Sequence, residues 1–175
     1  VIMNFIFENF DILKTCSFTG HRSQKLPWRF NENDKRCLAM KTILKNHIEE
    51  AIHNGYDTFL SGMALGFDMI CTEIVLSFKQ KYKDVKMIGV LPCKNQDAKW
   101  PESQKARYKK LLNQLDYIKC DNDYYVGPQC MIDRNHFMID NSSLLIALFN
   151  GLPGGTKSTI DYAKSKGKRI IIIKP

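Results

Sequence analysis

The chain has 175 residues, 44% of them apolar and 25% charged, which is the balance of a globular domain with a sizeable core rather than of a disordered chain. No apolar run reaches transmembrane length, so we expect no membrane partner. The net charge of +8 suits an anionic partner such as a nucleotide or a nucleic acid. Lysine-rich segments such as KSKGKR are nevertheless typical of solvated helix faces and ends, so solubility explains most of that charge.

Short apolar runs alternate with helical patterns along the chain. The strands are predicted, in chain order, over 15–20, 57–62, 85–92, 116–120, 144–150 and 169–174. The helices between them are predicted over 34–53, from about residue 67 to 78, and over 102–115, 129–141 and 156–166. This alternation predicts an α/β fold, a Rossmann-like three-layer sandwich with a mostly parallel sheet of about six strands. We expect one domain over 15–175 and an N-terminal extension over 1–14.

The six cysteines indicate a reducing environment. They form no CxxC pair and no zinc spacing with histidine, so we expect no metal, and nothing calls for a cofactor. Cys16, Cys37, Cys71 and Cys120 lie inside apolar patterns, where a reduced cysteine is a small core residue. Residues 1–14 lack the basic start and the small-residue cleavage site of a signal peptide. A cytoplasmic location is therefore expected.

The first candidate binding segment, TGHR, follows the first predicted strand. Ligands of parallel α/β folds bind outside the carboxyl ends of the strands, which places Thr19, Gly20, His21 and Arg22 at the expected edge. An arginine there can hold a phosphate through two parallel hydrogen bonds. The alternative is a surface loop whose arginine pairs with a nearby acid.

The second segment, SGMALGFD, follows the second predicted strand and opens a helix. Its candidate ligand contacts are Ser61, Gly62, Met63, Ala64, Gly66 and Asp68. The backbone amides around Met63 to Gly66 are expected to point outward at a helix N-terminus, which carries about half a positive charge and attracts anions. The alternative is tight packing of the helix on the sheet, which also favours glycine and alanine.

The third segment, NGLPGGTKST, follows the fifth predicted strand. Its glycines again lead into a helix, now with hydroxyl groups and a lysine, and the alternative is a turn with an N-cap. The candidate contacts are Asn150, Gly154, Gly155, Thr156 and Lys157.

A further candidate pair, Arg134 and Asn135, lies on the helix before the fifth strand. Arg134 could hold a ribose phosphate, or it could extend to solvent or pair with an acid. Loop aromatic residues could stack a base or cap the core. They are Trp28, Phe30, Trp100, Tyr124 and Tyr125.

Taken together, the segments TGHR, SGMALGFD, RNHFMIDNSSLLIALFNG and GGTKSTIDYA resemble, in order, the YpsA-like branch of the SLOG superfamily. This is the Rossmann-like fold shared by the DNA-processing protein DprA and the LOG phosphoribohydrolases. The resemblance covers nearly all of the chain after residue 14. It implies a bacterial or phage domain that binds a nucleotide or a nucleotide-derived molecule, such as a signalling nucleotide.

The resemblance also implies two alternatives. In a LOG-like phosphoribohydrolase, which cleaves an N-glycosidic bond, Arg134 would be catalytic. Without an alignment gap, Asp161 would replace the family's glutamate, with a side chain one methylene shorter. With a one-residue gap, Tyr162 falls at that position and the acid is lost. A DprA-like protein would bind single-stranded DNA, which requires a continuous basic groove. We expect binding without strong catalysis, and the sequence leaves a homo-oligomer open.

Overall fold

The computed structural model describes residues 11–175. Residues 1–10 lie outside the described part. They make up most of the expected N-terminal extension and most of the segment that lacks the features of a signal peptide. The strands are β1 (Thr15–Gly20), β2 (Thr58–Ser61), β3 (Lys86–Leu91), β4 (Tyr117–Cys120), β5 (Leu144–Leu148) and β6 (Arg169–Ile173). The helices are α1 (Lys35–His53), α2 (Phe67–Phe78), α3 (Glu102–Leu112), α4 (Pro128–Asp140) and α5 (Gly155–Ser165).

The six strands form one parallel sheet in the order β4-β3-β2-β1-β5-β6. This confirms the predicted Rossmann-like α/β fold, with element bounds that differ by a few residues. From β1 the chain builds outward through β2, β3 and β4, and it then returns to place β5 on the other side of β1. The loops after β1 and β5 therefore diverge, and such a divergence opens a crevice at the carboxyl edge of the sheet.

The sheet is covered on both faces, which explains its continuously apolar strands. On one face, α1 and α2 pack against β1, β2 and β5 through residues such as Leu44, Phe67 and Phe18. On the other face, α4 and α5 supply Ile139 and Ile160, which pack against Leu145. Since the strands are buried on both sides, the polar atoms available for a ligand are concentrated at the strand ends.

All six cysteines carry free thiols. Cys16, Cys37 and Cys71 are buried as predicted, whereas Cys120 on the edge strand β4 is only partly buried. Within residues 11–175, no helix is both long and apolar enough to cross a bilayer. The same residues contain no cluster of three or more histidine, cysteine or acidic side chains that could hold a metal ion.

Candidate functional site

A cleft of about 190 Å³ opens at the carboxyl ends of β1 and β5, where the two loops diverge. All four predicted segments contribute residues to it: the loops after β1, β2 and β5, and helix α4. Its lining consists of Phe18, Thr19, Gly20, His21, Arg22, Lys25, Ala64, Asp68, Met131, Arg134, Asn135, Gly154, Gly155 and Thr156. The topology thus brings together groups that are up to 138 residues apart in the chain, counted from Phe18 to Thr156.

The N-terminus of α5 forms one wall of this cleft. Gly154 is the N-cap residue, with φ of 147°, and no side chain caps the helix. A Cβ added to Gly155 would meet no atom within 4 Å, so this glycine is not required by packing. The first backbone N–H groups of α5 are therefore uncapped and accessible, and the partial positive charge of this helix terminus favours an anion.

Two basic side chains lie beside this terminus. Lys25 belongs to a short 3-10 turn, Ser23–Lys25, and its Nζ lies 3.7 Å from the position of a Cβ added to Gly154. Arg22 is exposed. Among residues 11–175, neither side chain makes a hydrogen bond or an ion pair, whereas Lys41, Lys79 and Arg107 all pair with acids. Within the described residues, these two cations of the cleft therefore form no ion pair with an acid.

The N-terminus of α2 is arranged differently. A Cβ at Gly62 would lie 2.1 Å from Nη1 of Arg134, and a Cβ at Gly20 would lie 2.3 Å from the ring of Phe67. Gly66, at φ 98°, would bring its Cβ to 2.6 Å from the backbone nitrogen of Ser23. These glycines allow other parts of the same protein to pack closely against the backbone. Tight packing, which was the alternative explanation for this segment, therefore accounts for them.

The amides of this segment are also engaged internally. The N–H of Met63 donates to Oγ of Ser61 at 3.1 Å, and the N–H of Ala64 donates to Oδ2 of Asp68 at 3.2 Å. The expectation that these amides point outward is therefore wrong for Met63 and Ala64. The side chains of Ser61 and Met63 are fully buried, so in this conformation they cannot contact a ligand.

Arg134 is the buried cation of the site, with a relative exposure of 8%. Its Nη1 donates to the carbonyl of Gly62 at 2.5 Å, and its Nε donates to Oδ1 of Asn135 at 2.8 Å. It therefore does not extend to solvent. Burial lowers its pKa, and the nearby carboxylate of Asp68 acts in the opposite direction. Its Nη2 has the thioether of Met131 as its neighbour, at 4.0 Å, and retains donor capacity beside the cleft.

Asp68 is the acid that accompanies Arg134. It is 6% exposed, and burial raises the pKa of its carboxyl group, while Arg134 and the amide of Ala64 act in the opposite direction. A carboxylate here partly offsets the charge of Arg134. Arg22 and Lys25 are left as the excess positive charge of the cleft.

His21 connects the loops after β1 and β5. Its Nε2 accepts a hydrogen bond from the backbone N–H of Asn150 at 3.2 Å. Burial lowers the pKa of His21, and the charge of Lys25 lowers it further against the effect of the Asn150 bond. A neutral imidazole that accepts at Nε2 carries its proton on Nδ1. His21 therefore links the two loops through its Nε2 and lies in the cleft lining.

Several predicted residues lie outside the cleft lining. Gly62 lies directly behind Arg134, Gly66 packs on the loop after β1, and Asn150 caps its own turn by accepting from the N–H of Leu152. Lys157 and Asp161 are both about half exposed and form an ion pair at 2.5 Å. The acid that the hydrolase alternative requires is thus engaged elsewhere on α5.

Three lining residues are not among those predicted from the sequence: Phe18, Lys25 and Met131. Lys25 could have been found, because it follows Arg22 by three residues and one turn of helix brings such residues to one side. Phe18 and Met131 line the cleft but carry no chemical signal in the sequence, since apolar residues at such positions are ordinary core residues.

A second cleft, of about 560 Å³, adjoins the first and shares Arg22 and Met131 with it. Its other walls come from the loop after β3 and from the loop between β4 and α4. The remaining lining residues are Gln24, Leu65, Asn95, Gln96, Ala98, Lys99, Trp100, Tyr125 and Pro128.

The loop aromatic residues divide between the two roles considered for them. Trp28 belongs to the core, with 3% exposure. Trp100 and Tyr125 line the second cleft, whereas Tyr124 is 72% exposed and does not. Phe30 is 43% exposed and lines neither cleft.

Comparison with known proteins gives consistent results. The model of the YspA SLOG family matches residues 16–172. The chain is 35% identical over 140 residues to the SPbeta prophage-derived protein YoqJ of Bacillus subtilis, covering 73% of this chain and 81% of YoqJ. It is 27% identical over 139 residues to YpsA of the same organism, covering 79% of this chain and 77% of YpsA.

A solved structure has the same fold. DNA processing protein A of Helicobacter pylori, described for its single-stranded DNA binding mode, is similar with a TM-score of 0.62 and 20% identity. The match covers 92% of this chain but only 65% of that protein. At this identity the likeness concerns the fold alone.

Proposed function

Because the chain belongs to the YspA SLOG family, which confirms the resemblance seen in its sequence, we propose that it binds a nucleotide or a nucleotide-derived small molecule. The phosphate of this ligand lies in the cleft between the ends of β1 and β5. The observation that carries the proposal is the uncapped N-terminus of α5 beside Arg22 and Lys25, two cations that form no ion pair or side-chain hydrogen bond in the described residues. The other predicted contacts at this cleft, including Thr19, Asn135 and Thr156, are proposed on the same ground.

The physical case rests on charge and access. A phosphate at the start of α5 accepts hydrogen bonds from backbone N–H groups and meets the positive end of the helix dipole. Arg22 can bind two of its oxygens at once, and Lys25 adds a point charge. The open approach at Gly155 permits this contact, since no atom of residues 11–175 occupies the space that a side chain would fill.

We propose binding without glycosidic cleavage. A LOG-like hydrolase needs a carboxylate free to act beside the ribose. Asp161 pairs with Lys157, and Asp68 accepts from the amide of Ala64 next to Arg134. Both acids are committed to contacts within the protein, which favours a binding role for Arg134.

Single-stranded DNA is the second candidate ligand, suggested by the fold that the chain shares with DNA processing protein A. Against it stands the pairing of several lysines with acids, which lowers the positive charge available to a DNA backbone. Examples are the pairs Lys41–Glu32, Lys79–Asp116, Lys81–Glu49 and Lys105–Glu102. A small ligand in the cleft is therefore favoured. The six free thiols support placing the protein in a reducing cytoplasm.

The test is a thermal-shift and calorimetric screen of nucleoside mono-, di- and triphosphates and cyclic nucleotides. A ligand at a hundred times its dissociation constant adds about 2.7 kcal/mol of stability. Arg22→Ala and Lys25→Ala should each weaken binding. Lys164→Ala, which removes an exposed charge in the last turn of α5, should not. Equal losses in all three variants would reduce the proposal to a general effect of charge, and no binding by any phosphate compound would overturn it.

A further inference from the structure

We infer that the second cleft is a nucleobase site, with Tyr125 and Trp100 as its stacking surfaces. The inference rests on the proposed function, because it assigns the base end of the ligand whose phosphate lies at α5. The second cleft, at about 560 Å³, lies within the range of roughly 300–1,000 Å³ that is typical of small-molecule sites. The first cleft, at about 190 Å³, is small for a whole nucleotide.

The two clefts adjoin each other. Arg22 and Met131 line both of them, so these shared side chains are the boundary between the phosphate position and the aromatic cleft. A phosphate held by Arg22 on one side leaves the rest of the ligand to extend past Met131. The occupant is therefore a flat aromatic group covalently linked to a phosphate, which is the chemistry of a nucleotide.

Contacts within the protein position the two aromatic walls. The ring of Trp100 packs edge-on against the buried Tyr108, with ring centroids 5.1 Å apart, so it loses little conformational freedom when a base stacks on it. The backbone N–H of Tyr125 donates to Oδ1 of Asn95 at 3.0 Å, which joins the loop after β4 to the loop after β3. The side chain of Tyr125 is about half exposed and is free to adjust to a base.

Two amide side chains supply the polar contacts that a base edge needs. Gln96 donates from Nε2 to the carbonyls of Gly62 and Met63, each at 3.3 Å, so its orientation is set and its Oε1 retains acceptor capacity. Asn95 uses Oδ1 for the N–H of Tyr125, which leaves its NH₂ group as a donor. An acceptor and a donor on adjacent residues complement the mixed donor and acceptor edge of a nucleobase.

The experiment compares ribose 5-phosphate with AMP, GMP, CMP and UMP by calorimetry. These probes share the sugar and phosphate and differ by the base. At least one nucleotide should bind about 5- to 150-fold more tightly than ribose 5-phosphate, the range for one stacked base. Tyr125→Ala should remove most of that difference while leaving the affinity for ribose 5-phosphate unchanged. Tyr125→Phe, which keeps the ring, should retain it.

Tyr124→Ala is the matched control, because Tyr124 is the exposed neighbour that does not line the cleft. It should behave as the wild type with every probe. If ribose 5-phosphate binds as tightly as all four nucleotides, or if Tyr125→Ala leaves their advantage intact, the base site is refuted while the phosphate site stands. If none of the five compounds binds, the proposed function fails together with the inference.

Discussion

Replacing Gly62 with alanine tests whether the small residues of SGMALGFD serve the interior of the protein. The new Cβ would lie 2.1 Å from Nη1 of Arg134 and 2.9 Å from Oδ2 of Asp68. The guanidinium would have to move away from the carbonyl of Gly62, to which it now donates at 2.5 Å. A hydrogen bond to a charged group contributes roughly 1.5–3 kcal/mol. A loss of that size lowers the melting temperature of a domain of this length by about 3–12 °C.

The assay is thermal and urea unfolding of the wild type, Gly62→Ala, Arg134→Met and the double variant. Alanine at position 62 should cost less stability in the Arg134→Met background, where no guanidinium meets the new Cβ. The coupling energy from this cycle should be about 0.5–3 kcal/mol. Two results would refute the idea that Gly62 makes room for the guanidinium of Arg134. One is a melting temperature for Gly62→Ala within about 1–2 °C of the wild type, and the other is a cycle with no coupling energy.

Gly155→Ala should leave the fold intact or raise its stability by about 0.4–1 kcal/mol. The variant should nevertheless bind phosphate more weakly, because the new Cβ would enter open space at the cleft. An unchanged affinity by calorimetry would contradict the phosphate position. Chromatography should detect little or no base released from AMP, GMP, CMP or UMP, and robust release that disappears in Asp161→Asn would make the protein a hydrolase. Binding of single-stranded DNA should be weak and should fall steeply from low to physiological salt in a fluorescence-anisotropy titration; tight binding at physiological salt would favour the DNA alternative. Since the pKa of Asp68 is raised from 3.8 in the folded state, the native protein holds a proton that the unfolded chain releases. The stability of the wild type relative to Asp68→Asn should therefore fall as pH rises from about 4 through the raised pKa, and a pH-independent difference in urea midpoints would contradict this.

The sequence by itself determined the architecture and the edge of the sheet at which the site lies. Continuously apolar runs such as LLIALFN between helical patterns predict strands covered on both faces, and the three- and four-residue spacing from Cys37 to Ile48 predicts one buried helix face. Glycines directly after such strands mark the carboxyl edge, because parallel strands all end on the same side. These features depend on local periodicity, which is readable without knowledge of long-range contacts.

Only the tertiary structure decided what each glycine loop does. Gly62 and Gly155 look alike in sequence, since both follow a strand and precede a helix. Arg134, 72 residues away along the chain, approaches Gly62, whereas no atom of residues 11–175 would lie within 4 Å of a Cβ at Gly155. The same holds for the charges: Asp161 pairs with Lys157 on its own helix, while Arg22 and Lys25 lie at the start of α5 and form no ion pair within the described residues. A glycine permits close approach from either side, and only the packing of distant segments determines whether the protein itself or a ligand uses that space.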